Sequence, residues 1–278
     1  MKRRFPTTSA IVFLLLVSLA LVFVIPLMWT VSGALKSAQE FAKEPDRLVP
    51  RHIVFENFGK AWRALPFAIF VGNTVFISVV ATFGQVISSS LVAFGFSRFK
   101  FWGRDALFGV LIGTMMLPSQ VTMIPVFLIW RDLHAIDTFI PLIVPSFFGS
   151  AFSVFLVRQF FLGIPRELDE AATIDGASHL RFWWSVLLPI SGPALATVGV
   201  FAFFANWDSF EGPLIYLNSP EKYTLSVGLR MFQDTDGTTA FEQVMAASLI
   251  HILPTIIIFF CAQRYFLKGI AMTGLGGR

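Results

Sequence analysis

Pro165-Arg-Glu-Leu-Asp-Glu-Ala-Ala-Thr-Ile-Asp-Gly-Ala-Ser-His-Leu-Arg-Phe-Trp-Trp-Ser-Val-Leu-Leu-Pro189 is a polar island in an otherwise apolar chain. Its punctuation predicts two short helices with a sharp turn between them. Pro165 suits a first helical position, where its missing N–H costs nothing. Glu167, Asp169 and Glu170 then place negative charge in the first turns, which the helix dipole favours. Asp175-Gly176 supplies a stop, because Gly accepts the left-handed conformation that closes a helix. Ser178 can cap a second segment, and Pro189 limits how that segment continues.

On either side of the island the chain turns greasy. Of 278 residues, 55% are hydrophobic and 14% charged, with a mean hydropathy of +0.73, whereas a soluble domain carries about 25% charged residues. The chain reads as a membrane protein. Its charge-free windows are the stretch between Arg4 and Lys36, then Ala64–Ser97, Ala106–Trp130, Thr138–Val157, Phe182–Trp207 and Gln243–Gln263. Each can supply the roughly 20 residues that a helix needs to cross a hydrocarbon core. The expected fold is an all-α polytopic membrane protein with six transmembrane helices. The first window follows a basic Lys2-Arg3-Arg4, as a signal peptide would, but its apolar stretch is too long for a signal h-region, and Pro26 and Trp29 fall inside it. It reads as a retained helix. Asn73, Thr74, Ser78, Thr82, Gln85, Ser88, Ser89 and Ser90 in the second window suit a helix that faces other helices.

Basic residues set the orientation. With the N-terminus in the cytoplasm, 12 of the 21 basic and five of the 17 acidic residues lie inside, a balance of +7 against −3 outside. Both termini are then cytoplasmic, and so is the Pro165–Arg181 loop. The long mixed-charge segment Lys36–Arg63 dissents, with six basic residues outside. Asp208–Glu242, also outside, carries the turn signals Gly212-Pro213, Ser219-Pro220 and Asp236-Gly237 and could fold back as a scoop. The working division is 1–35 (tail and first span), 36–66 (outer loop) and 67–278 (core), the last holding the island loop at 163–184 and a Gly-rich tail too poor in helix formers to be a stable helix.

Glu170-Ala171-Ala172, Gly176 four residues on, then Val186-x-Leu188-Pro189 resembles the Glu-Ala-Ala loop of ABC-importer membrane subunits, with Val in place of the more usual Ile. Together with six spans and the Gly-rich ending closed by Arg278, the chain most resembles maltose-type carbohydrate permeases of the type I importer fold. That resemblance implies a subunit of a bacterial cytoplasmic-membrane importer for a sugar, oligosaccharide or polyol. It implies a second, homologous permease, two ATP-binding cassette subunits that hold ATP and Mg, and an extracytoplasmic solute-binding protein. Glu167, Asp169, Glu170, Ala171, Ala172, Asp175, Gly176, Ala177, Leu188 and Pro189 would form the ATPase-coupling loop. Asn206-Trp207-Asp208 matches the family pattern only in part, Asp208 standing where Asn is usual.

The remaining chemistry agrees with a non-catalytic subunit that binds no cofactor or metal of its own. No Gly-x4-Gly-Lys-[Ser/Thr] phosphate loop is present; Gly59-Lys60 lacks the upstream Gly. Cys261 is the sole cysteine, so neither an intrachain disulfide nor a cysteine metal cluster can form. No basic run interleaved with aromatics suggests nucleic acid. A gradient-driven carrier is the alternative class, but it should place Asp, Glu, Lys or Arg within its spans. The windows offer only His251, which fits a helix-to-helix hydrogen bond. A non-carbohydrate solute remains the alternative within the importer class. Rings stack on sugar faces and amides bond hydroxyls, so Asn73, Gln120, Phe203, Asn206 and Trp207 are the candidates for a solute path.

Overall fold

The structure, a computed structural model, describes residues 7–232 and 240–274, with side chains described over 11–232 and 240–263. The described residues are helical, without a strand among them. Contacts gather the chain into two units, Met1–Phe67 with Gly228–Pro254, and Ala68–Val227 with Thr255–Arg278.

In the first unit α1 spans Thr7–Ala34. Residues 11–28 are all exposed, and the helix is apolar on every side, as contact with lipid demands. Two short helices follow, α2 (Ala38–Lys43) and α3 (Glu56–Ala64). The mixed-charge loop folds back on the end of α1. Lys36, fully buried, donates to the carbonyls of Glu44 and Pro45 at 2.9 and 3.0 Å. Asn57 donates to those of Ala34 and Lys36 at 2.8 and 2.7 Å. Among these acceptors, Ala34 O is one that the end of α1 leaves open.

The second unit is built along α4 (Phe67–Arg98). Next come α5 (Arg104–Gly113) with a 3₁₀ turn to Met116, α6 (Ser119–Asp132) and α7 (Ile140–Ile143) with a 3₁₀ turn to Phe148. Then follow α8 (Ala151–Leu162), α9 (Glu167–Ile174) and α10 (His179–Phe182), a π-helical turn over Trp183–Leu187, α11 (Leu188–Ile190) and α12 (Gly192–Trp207). The last three helices along the chain are α13 (Glu211–Tyr216), α14 (Leu225–Met231) and α15 (Phe241–Gly274), of which residues 228–254 belong to the first unit. The core gathers Ala93 and Phe94 from α4, Val154, Val157 and Phe161 from α8, Phe182 and Trp183, and Val198 of α12.

Four segments are long and apolar enough to cross a membrane: Ile11–Ala34, Phe67–Arg98, Ile140–Leu162 and Phe241–Gln263. Two more cross if each bent pair is one span. Arg104–Met116 meets Ser119–Asp132 at 101°, and His179–Ile190 meets Gly192–Trp207 at 82°. The third and fifth windows, expected as plain helices, are therefore broken. Pro118 forces the first break, since the residue before a proline leaves the α region and Leu117 is extended at ψ 117°. The second falls at Ser191, just before Gly192-Pro193.

The polar face of α4 packs as its composition suggested. Gln85 donates to the hydroxyls of Ser150 and Ser153 at 3.1 and 2.9 Å, and Ser88 donates to the carbonyl of Ser146 at 3.1 Å. The Gly-rich ending departs from expectation, for α15 continues through Gly274. The helix is carried past the end of the Phe241–Gln263 span by continuing the ladder already formed there, since each added residue gains a backbone hydrogen bond without a new nucleus. Residues 2–4, 275–278 and the expected Asp236-Gly237 turn lie outside the described residues.

Candidate docking site

The island folds as two helices around a glycine. Gly176 has φ +72°; its N–H donates to Thr173 O at 3.0 Å, and that of Ala177 to Ala172 O at 2.9 Å. This pair of bonds is the Schellman closure, which satisfies the last carbonyls of α9. Ser178 then caps α10, accepting from the N–H of Arg181 at 3.3 Å. Two expectations shift. Pro165 stands two residues before α9, whose first turn is closed on Arg166 O by the N–H groups of Asp169 and Glu170. Pro189 does not end its segment; it sits inside α11, and the break comes at Ser191.

The outer surface of the loop is apolar with an acidic border. Ile174 is 86% exposed and Leu180 64%, with Leu168 partly exposed, while Glu167, Glu170, Ala171, Asp175 and Gly176 are exposed around them. Asp169, Ala172 and Ala177 are half-buried and turn toward the membrane domain. Leu188 is half-buried and Pro189 exposed. Such a surface suits a cleft with an apolar floor and a basic rim.

The inner surface is tied to α4 by two arginines that the sequence offered only as topology charges. The Arg98 side chain is 4% exposed, and its Nε lies 3.4 Å from Asp169 Oδ1. Its Nη2 donates to Ile164 O at 3.2 Å. In the opposite sense, Arg166 donates to Ser97 O at 3.1 Å and Arg98 O at 3.3 Å, placing positive charge on the C-terminal carbonyls of α4, where the dipole favours it. His179 meets Phe99 edge-on at 5.0 Å. A cavity of about 160 Å³ opens among these groups, lined by Arg98, Arg166, Asp169, His179, Phe94 and Phe182. Removing one partner of a buried ion pair costs about 3–5 kcal/mol, an upper bound here because Asp169 is about a quarter exposed. The sole signal in the sequence is an arginine closing an apolar window.

The solute-path candidates are scattered. Asn73 gives both amide protons to carbonyls, those of Glu221 at 2.9 Å and Tyr223 at 3.0 Å. Beside it, Thr74 Oγ1 accepts from Leu225 N–H at 2.8 Å. Gln120 is exposed in the first turn of α6. Phe203 and Trp207 stack at 5.5 Å with their planes 17° apart, Trp207 being buried, and Asn206 donates to Ala202 O at 2.7 Å. Sequence reasoning missed Asp137, which fastens the loop after α13. Its carboxylate accepts from the N–H groups of Asn218 and Ser219, the Ser219 hydroxyl and Lys222 Nζ at 2.5–3.0 Å. The Lys222 ammonium foremost, then the Ser219 hydroxyl and these N–H groups, holds the carboxyl well below the usual carboxylate range. Among the described residues no His, Cys, Asp or Glu cluster could hold a metal ion.

Residues 85–272 match the profile of the binding-protein-dependent transport system inner membrane component family. The chain is 33% identical over 276 residues to the sn-glycerol-3-phosphate transport system permease protein UgpE of Rhizobium meliloti, covering 96% of this chain and 98% of that one. It is 29% identical over 268 residues to the arabinooligosaccharides transport system permease protein AraQ of Halalkalibacterium halodurans, covering 93% of each. In three dimensions it is similar to a chain from the crystal structure of a bacterial ABC transporter involved in import of the acidic polysaccharide alginate. That match has a TM-score of 0.82 at 26% identity and covers 94% of this chain and 96% of the other.

Proposed function

From the premise that this chain belongs to the binding-protein-dependent transport system inner membrane component family, we propose that its α9–α10 loop docks a separate ATPase subunit. The chain is a multi-pass membrane transport subunit of an ABC importer. In this proposal it forms half of a translocation path with a second, homologous permease. Two ATPase subunits beneath the pair hold ATP and Mg and do the hydrolysis, and an extracytoplasmic binding protein delivers solute. The bilayer is a cytoplasmic membrane, with both termini and the docking loop on the cytoplasmic side.

One observation carries the docking reading. Ile174 and Leu180 are large, apolar and exposed on a turn whose backbone is fully closed by the Gly176 motif and the Ser178 cap. A rigid apolar knob with acidic borders is suited to a moving partner's cleft. Glu167, Glu170 and Asp175 would meet its basic rim, and Ala171, Ala172 and Ala177 keep the turn slim enough to enter.

The solute is a polyhydroxylated one: a sugar, an oligosaccharide or a polyol, including its phosphate ester. Relatives named for sn-glycerol 3-phosphate and arabinooligosaccharides and a fold relative that imports alginate support this reading. The stacked Phe203–Trp207 pair with Asn206 beside it, and Gln120, are the side chains proposed to face the path. Asn73 would shape its outer end through the loop it holds.

The test is to purify the importer with its ATPase and binding protein and to measure ATP hydrolysis on addition of sn-glycerol 3-phosphate, arabinooligosaccharides, alginate oligosaccharides and amino acids. One polyhydroxylated solute should stimulate hydrolysis; stimulation by an amino acid alone would overturn the solute class. Ile174→Glu should insert normally yet lose the co-purifying ATPase. Full retention would overturn the docking reading.

A further inference from the structure

We infer that Arg98 and Asp169 form a latch that carries the motion of the docking loop into α4, so that the ATPase drives α4 directly and not only the two helices flanking the loop. The inference rests on the docking reading above. Along the chain, α9 is joined only to α8 and α10. In space it is also fastened to the end of α4, 66–69 residues earlier, by an exchange of arginines. Arg98 reaches from α4 to Ile164 O and the Asp169 carboxylate, and Arg166 reaches back to Ser97 O and Arg98 O.

Three features suit this exchange to transmission. The Arg98 guanidinium is almost wholly buried, so parting it from Asp169 strands a charge and the pair resists separation. The two ties run in opposite senses, so α9 can neither slide along α4 nor lift from it without breaking one of them. Asp169 also shares the first turn of α9 with the exposed Glu167 and Glu170: one short helix meets the partner on one face and α4 on the other. Neither Arg98 Nε nor Asp169 Oδ2, both buried, makes a hydrogen bond, so Arg98 and Asp169 hold each other by charge, with Nε 3.4 Å from Oδ1. Arg98 and Asp169 are positioning residues; neither is proposed to touch solute or nucleotide.

The experiment uses the complete importer with ATP and orthovanadate as the trapping probe, read by amide hydrogen exchange. In the native importer, trapping should change exchange both over residues 167–177 and over 95–101, the end of α4. In Asp169→Asn and Arg98→Lys importers the ATPase should still co-purify and residues 167–177 should still respond, but the response over 95–101 should be lost. Asp169→Glu, which keeps the charge, should restore it.

An equal response over 95–101 in all four proteins, or none in the native one, would overturn the latch. So would loss of the ATPase from Asp169→Asn to the extent seen with Ile174→Glu, since Asp169 would then be a docking contact. Failure of residues 167–177 to respond in a native importer that retains its ATPase would instead sink the docking reading itself.

Discussion

Gly176 and Gly149 both take positive φ, +72° and +78°, but an added side chain meets different surroundings at each. At Gly176 a Cβ would enter open space, while at Gly149 it would lie 3.3 Å from Ser89 Oγ and 3.5 Å from the Ser89 backbone. Gly149 also has ψ 157°, a region that is essentially glycine-only. At Gly176 Ala should therefore cost only the left-handed penalty, roughly 1–2 kcal/mol, with Asn cheaper and Val dearer. Gly149→Ala should be worse than Gly176→Ala, and Asn should not rescue it. Thermal unfolding of the purified importer checks the order, and equal losses at the two sites would contradict it. Asp137 gives a pH prediction. Its carboxyl lies below the ordinary 3.8, so the folded state binds fewer protons, and the clamp's stabilisation is complete above that value and fades only as pH falls through the depressed one. Exchange over residues 217–224 should stay slow from pH 7 to pH 4 and become fast in Asp137→Asn. A native loop that loosens between pH 6 and 5 would show that another group controls it.

The Ile140–Leu162 segment, in which a 3₁₀ turn gives way to α8, is the element on which side-chain chemistry matters most. Gly149 ends the 3₁₀ turn, and Ser150 caps α8 by accepting from the N–H of Ser153 at 3.2 Å. Ser150 also accepts from Gln85 and donates to Ser153. Side-chain hydrogen bonds between membrane helices average about 0.6 kcal/mol and reach about 1.7, and a lost N-cap costs roughly 0.5–2 kcal/mol. Ser150→Ala, which loses both, should lower the unfolding midpoint more than Ser153→Ala. Gln85→Leu should fall between them, since it loses two bonds between helices and no cap, whereas Ser153→Ala loses one bond between helices and one within its own segment. A larger loss from Ser153→Ala would mean that the cap contributes little. Proline alone does not mark such breaks. Pro26, Pro125 and Pro254 lie inside continuous helices, whereas the bends fall at Pro118 and before Pro193. Within a bilayer neighbouring helices and side chains can re-satisfy the carbonyl that a proline frees, so packing decides which proline becomes a bend.

At the scale of the whole molecule, the two bent pairs decide which loops share a side. If both cross, Leu133 and Glu221 are outside and Thr173 is inside. If Arg104–Asp132 re-enters instead, Leu133 moves inside and Thr173 outside; if only His179–Trp207 re-enters, Glu221 alone changes sides. All three residues are exposed. Single cysteines at these positions, in a protein with Cys261 replaced by Ser, should react with an impermeant maleimide from outside at 133 and 221, and only after permeabilisation at 173. Labelling of position 173 in intact cells would overturn the six-span arrangement. The charge balance of +7 inside and −3 outside belongs to that arrangement.

Class, span-forming segments and the closed turn at Gly176 were legible along the chain, because each rests on signals acting within a few residues or across one window. Acids in a first turn, Gly176 at the stop and Ser178 at the next start fix local backbone whatever surrounds them. The partners of those elements were not legible. A span is apolar toward lipid and toward its neighbours alike, so no polar stripe marks the face that packs. Arg98 therefore reads as one more inside charge until folding brings Asp169 beside it. Asn73 reads as an open amide until Glu221 and Tyr223 take up both of its protons. Only the tertiary structure settled these pairings, since each joins positions 71–150 residues apart and depends on which helix surfaces meet.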